Sequence, residues 1–82
     1  MAEYDLSDLS PGESAVISFI GDETGIRRRL LDMGLTAGTD ISCLFSSAWG
    51  GDPTAYRVRG TVIALRKKDA AQIRIRKTEV LT

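Results

Sequence analysis

Between Ala55 and Lys77 the chain reads AYRVRGTVIALRKKDAAQIRIRK, and no other stretch restricts the possible folds as much. Tyr56 and Val58 alternate with Arg57 and Arg59, the period-2 pattern of a half-buried strand, and Gly60 supplies the backbone freedom of a hairpin turn. A second β-rich run follows, Thr61-Val62-Ile63-Ala64-Leu65, and stops at the charged Arg66-Lys67-Lys68-Asp69. With Ala70 and Ala71 those charges suit one helical turn, after which Ile73 and Ile75 alternate with Arg74 and Arg76 in a last strand. Strands this short, joined this tightly, predict a small barrel.

Upstream, Tyr4 to Leu9 is too short for an isolated helix and reads as an arm or single helical turn that docks Leu6 and Leu9 on the core. Ser10-Pro11-Gly12 turns the chain into a first strand, Ser14 to Ile20, which Gly21 ends. Asp22 to Leu35 is the one convincing helix. Asp22 or Thr24 caps its start, Ile26, Leu30 and Met33 form its apolar stripe, and Gly34 occupies the left-handed C-cap position with Leu35 folding back on Leu30 or Leu31. Thr36 to Thr39 then turns into a strand from Asp40 to Phe45, whose inward face is expected to carry Ile41, Cys43 and Phe45. LSPGESAVI from Leu9 and LTAGTDISC from Leu35 look alike, and both are read simply as glycine turns feeding strands. SSAWGGDP, Ser46 to Pro53, is the one long loop. The sum is mainly β with one inserted helix: a five-stranded, partly open SH3-like barrel.

The 82 residues are enough for one domain, 1–82, with a modest core, and too few to enclose a deep substrate cavity as well. Eleven basic residues balance eleven acidic ones, so net charge implies neither nucleic acid nor an anionic membrane. The distribution is uneven: Met1 to Ile26 has only acidic charges, whereas Arg57 to Lys77 has eight basic residues against Asp69 alone. A single cysteine excludes an internal disulfide, the acidic N-terminus does not read as a signal peptide, and no apolar run approaches the roughly 20 residues of a membrane helix. A soluble cytoplasmic protein without membrane insertion is expected.

The residue chemistry argues against an enzyme. Without histidine the usual serine–base pair cannot be assembled, and no Walker-type phosphate loop is present. There is no C-x-x-C and no carboxylate cluster with calcium-loop spacing, so neither a metal site nor a cofactor is expected, and Cys43 reads as a small buried hydrophobe. Arg57, Arg59, Arg74 and Arg76 offer a stripe of phosphate contacts, yet Tyr56 points to the opposite face and leaves no stacking platform. Protein contact is the better-supported role. Arg28 has Asp32 as its i, i+4 partner, Leu31 beside Arg27 and Arg28 makes an apolar spot rimmed by charge, and Trp49 sits on a glycine-flanked loop. Arg27, Arg28, Leu31 and Trp49 are the candidate partner-binding residues. Exposed strand edges also allow weak self-association.

The order Gly21-Asp22, Arg27 to Gly38, Gly51-Asp52-Pro53, Arg59 to Arg66 and Ala70 to Ile73 strongly resembles the FeoA family, ferrous iron transport protein A, over nearly the whole chain. The resemblance implies a small cytoplasmic SH3-like domain that accompanies FeoB, the membrane ferrous iron transporter with a cytosolic GTPase part. It further implies action by docking on that transporter and modulating its assembly or activity. Two alternatives stand beside it: a nucleic-acid-binding small barrel, and a stand-alone relative of the SH3-like module of iron-responsive repressors, sensing metal.

Overall fold

The computed structural model describes residues 3–21, 25–47 and 50–77. Among them six antiparallel strands form one sheet: β1 (Tyr4–Asp5), β2 (Ser14–Ile20), β3 (Asp40–Ser46), β4 (Thr54–Val58), β5 (Thr61–Leu65) and β6 (Ile73–Lys77). Their order is β1-β6-β2-β3-β4-β5, and β1 and β5 are not paired, so the barrel stays open. Five strands were expected. The sixth, β1, is two residues long and pairs Tyr4 with Ile75 and Asp5 with Arg74, a contact too short to leave a periodicity in the sequence. The 3-10 turn Leu6–Asp8 follows at once and buries Leu6.

One apolar layer runs along the inner face of the sheet. Ile17, Ile41, Tyr56, Ile73 and Ile75 come from the strands, and Leu6, Leu30, Leu35 and Ala70 close over them from the turns and helices. Tyr56 and Val58 face inward while Arg57 is exposed, as their alternation requires. The turn into β5 is tighter than the sequence reading had it. Val58 already pairs with Thr61, and the two residues between them, Arg59 and Gly60, both have positive φ (51° and 78°), as a two-residue hairpin turn demands.

β2 and β3 are related by a local half-turn. Gly12 and Gly38, 26 positions apart, have φ of 91° and 90°. The Gly12 N–H donates to the Cys43 carbonyl (2.9 Å) and the Gly38 N–H to the Ile17 carbonyl (2.7 Å), while Cys43 N–H donates to Glu13 (3.0 Å) and Ile17 N–H to Thr39 (2.9 Å). Every one of these bonds maps onto another under the same offset. The two look-alike segments are therefore a structural repeat, not merely two glycine turns.

The repeat extends to a β-bulge on each strand. Ser18 is the extra residue between Ile17 and Phe19 where β2 meets β6, and Leu44 the extra residue between Cys43 and Phe45 where β3 meets β4. Each bulge breaks the alternation and sends the next phenylalanine outward, Phe19 at 55% and Phe45 at 62% exposure. Phe45 thus leaves the inward face on which strict alternation placed it with Ile41 and Cys43.

Candidate functional site

The helix α1 spans Ile26–Asp32, shorter than the Asp22–Leu35 expected. Its proposed caps Asp22 and Thr24 lie outside the described residues, as does the side chain of Ile26. The C-terminal end is closed as the sequence indicates. Gly34 has φ 94°, its N–H donates to Leu31 (3.0 Å), and the Leu35 N–H reaches back to Leu30 (3.0 Å). This pair of bonds is the Schellman arrangement, and Leu30 and Leu35 are both fully buried beside it. Met33 does not join the buried stripe and is 39% exposed. The reversal at Gly34 brings Leu35 into the core instead, and Met33 stands at the helix end facing out.

A short helix held this way shows a definite outer face. Arg27, Arg28, Leu31 and Asp32 line a shallow depression of about 400 Å³. Leu31 is 41% exposed, with two guanidinium groups and one carboxylate around it. Arg28 and Asp32 form no ion pair among the described residues; the arginine of this run that does is Arg29, whose guanidinium meets Asp69 at 3.0 Å and ties α1 to α2 (Lys67–Ala70). Arg27 and Arg28 are thereby left for other contacts. Sequence reasoning named three of these lining residues and used the fourth, Asp32, only as a partner for Arg28. Trp49, the remaining candidate, lies outside the described residues.

Arg59 anchors this face from the other side. Its side chain reaches across from the hairpin turn, donating from Nε to the Gly34 carbonyl (3.3 Å) and from a terminal nitrogen to Thr39 Oγ1 (3.3 Å). The turn, the helix end and the start of β3 are thus held together by one guanidinium. Nothing in the local sequence pairs Arg59 with Gly34, so only the folded topology discloses the link. Asp52 has a comparable role at α2, where its carboxylate accepts the Lys67 N–H at 2.9 Å and caps the helical turn.

The arginine stripe is not assembled. Arg74 is held by Asp5 at 2.6 Å and Arg59 by Gly34 and Thr39. Arg57 and Arg76 remain, but β2 and β3 separate β6 from β4, a distance of about 14 Å at ordinary strand spacing. Cys43 is buried, and burial, followed by the negative charge of Glu13, pushes its thiol above the ordinary range. Burial likewise pushes the Tyr56 phenol up to about 12. Both groups stay neutral at physiological pH. Among the described residues no cluster of three or more His, Cys, Asp or Glu is placed to hold a metal ion, and no helix is long and apolar enough to cross a membrane.

An open antiparallel barrel of this size with a helix, α1, inserted between β2 and β3 belongs to the SH3-like class. The FeoA of Stenotrophomonas maltophilia, solved with zinc and described as a prokaryotic SH3-domain protein, superposes with a TM-score of 0.77 at 28% identity over 87% of each chain. A FeoA-like protein from Clostridium acetobutylicum superposes with a TM-score of 0.88 at 29% identity, covering 100% of this chain and 94% of that one. A sequence profile of the FeoA domain matches residues 4–77, and the chain belongs to the FeoA family, which is associated with ferrous iron transport. A curated relative, the Fe(2+) transport protein A/Fe(2+) transporter FeoB fusion protein of Porphyromonas gingivalis, is 36% identical over 70 residues. That alignment covers 85% of this chain and 8% of the far longer fusion protein.

Proposed function

We propose that this protein is a cytoplasmic accessory of ferrous iron uptake that docks by direct contact on a FeoB-type transporter and modulates its assembly or activity. The observation that carries this reading is the Porphyromonas gingivalis relative, in which a domain similar to this chain is fused to FeoB. Fusion holds two modules at an effective concentration of roughly millimolar for a short flexible linker, an advantage only where the modules act through contact. A separate chain needs a docking surface instead. The depression formed by Arg27, Arg28 and Leu31 has the composition of one, an apolar centre with a charged rim, and Trp49 is proposed as a further contact. In this reading the domain acts by contact, and its role requires neither bound iron nor bound nucleotide of its own.

The test is an amide NMR titration of the chain with the cytosolic part of its host's FeoB-type transporter, repeated with the membrane-embedded transporter. Shifts confined to Arg27–Leu31 and to the loop around Trp49 support docking by this face. Silence in both formats overturns the docking reading. Binding with shifts elsewhere keeps the partner and moves the interface.

A further inference from the structure

β5 ends the sheet, and among the described residues no strand lies against its outer edge. The two-residue turn makes Val58 and Thr61 a hydrogen-bonded pair, and the ladder alternates from there through Arg57↔Val62, Tyr56↔Ile63 and Ala55↔Ala64. The N–H and C=O groups of Val62 and Ala64 therefore point away from β4, into the open edge. Edge strands are ordinarily guarded by an inward charge, a proline or a bulge. The five residues TVIAL contain no charge and no proline, and their register is unbroken.

The same two residues carry exposed apolar side chains, with Val62 at 53% exposure, whereas Ile63 between them packs on the core. Ala64 pairs with Ala55 and Ala55 with Phe45, so the outward turn of Phe45 leaves two exposed apolar positions, Phe45 and Ala64, on either side of the buried Ala55 (7% exposure). Cations stand at both ends of β5. Arg57 lies beside Val62, and Arg66, Lys67 and Lys68 follow Leu65; all four are exposed and none forms an ion pair among the described residues. The acidic groups nearest in sequence are engaged, Asp69 with Arg29 and Asp52 with the Lys67 N–H.

We propose that the free edge of β5 is a docking site for an extended acidic segment of a partner protein. The segment adds as a further strand, hydrogen-bonds with the backbone of Val62 and Ala64, sets apolar side chains beside theirs, and places its carboxylates against Arg57, Arg66, Lys67 and Lys68. A second copy of this chain is the poorer occupant. Two-fold pairing through β5 would bring the same uncompensated cations, Arg66, Lys67 and Lys68, of each copy to the edge of the other, with no free acidic group beside them among the described residues to offset the repulsion. This edge is a separate element from α1, and its use does not depend on what binds the α1 depression.

Two synthetic peptides test the proposal on the isolated chain, each a run of alternating valine and threonine, one flanked by glutamates and the other by lysines. The glutamate-flanked peptide is expected to shift the amide resonances of Thr61–Leu65 and to slow hydrogen exchange at Val62 and Ala64. At low salt it should bind at least about tenfold more tightly than its lysine-flanked counterpart. Val62→Pro, which removes one edge N–H, should abolish binding; if that variant does not fold, a glutamate-flanked peptide N-methylated at alternate residues replaces it and should fail to bind. Equal affinity for the two peptides overturns the proposal, as do shifts that leave out β5 and its flanking cations Arg57 and Arg66–Lys68. A concentration-dependent dimer joined through β5 also overturns it, by making the second copy the occupant.

Discussion

Leu30 and Leu31 are neighbours in α1, about 100° apart around its axis, and they make opposite predictions. Leu30 is fully buried, and cutting it to alanine removes its contacts with the sheet and leaves a cavity, at a cost of about 2–5 kcal/mol. Leu31 is 41% exposed and lines the depression, so Leu31→Ala forfeits only a fraction of a full leucine burial, at most about 1 kcal/mol. A domain of this length has a total stability of about 4–12 kcal/mol, and each kcal/mol moves its melting temperature by about 4–8 °C. Thermal melts followed by circular dichroism should therefore place Leu30→Ala about 8 °C or more below the parent, at least about twice the shift of Leu31→Ala. Calorimetric titration with the transporter's cytosolic part should show the reverse order of importance. There, Leu31→Ala weakens binding by about tenfold, some 1.4 kcal/mol. If Leu31→Ala melts as early as Leu30→Ala, the outer face of α1 is part of the core. If it melts normally and binds normally, the docking surface is elsewhere.

Arg59 sits at φ 51°, a conformation that costs a non-glycine residue about 1–2 kcal/mol, while its two long hydrogen bonds return a comparable amount. Arg59→Gly should therefore be nearly neutral and Arg59→Ala should melt several degrees lower; the same melt for both variants would mean that the backbone is unstrained there. The hydroxyl of Ser18 is buried at the β2 bulge without a hydrogen-bond partner among the described residues, so Ser18→Ala should raise the melting temperature, by about 1 kcal/mol equivalent; a lower melting temperature would show that the hydroxyl is satisfied. Glu13 is held below the ordinary carboxylate range chiefly by the Ser10 N–H, which it accepts at 2.7 Å, and secondarily by Lys77 at 3.6 Å. A depressed folded value means stability that is present at neutral pH and is lost as pH falls through that value. The melting difference between the parent and Glu13→Gln should thus shrink on acidification, and a difference that is constant from pH 7 to about pH 2 would refute the linkage.

The strands that follow strict alternation were legible because burial on one face leaves a period-2 trace, as in Tyr56-Arg57-Val58 and Ile73-Arg74-Ile75. The C-terminal end of α1 was legible because Gly34 is the residue a left-handed cap requires. The bulges were not. Ser18 and Leu44 are unremarkable residues, and the extra position they occupy is set by the strands across the ladder, β6 and β4, which a local reading does not see. That is why Phe45 was assigned inward and why its exposure went unread. For the site, the spacing of Arg27, Arg28 and Leu31 on one helix was enough to group them, since i and i+4 share a face. The tether from Arg59 joins positions 25 residues apart and depends on tertiary structure alone.

The half-turn that exchanges β2 with β3 also exchanges Phe19 with Phe45. Shape alone thus offers a visitor the same knob twice, a phenylalanine thrown outward just past a bulge, once toward each end of the strand pair. What separates the two is their company. Phe19 is paired with Arg74, already neutralised by Asp5, while Phe45 is paired with Ala55 on the path to the uncompensated cations around β5. A ligand that feels only the aromatic ring would have two equivalent poses on this molecule, and one that carries charge would have a single pose.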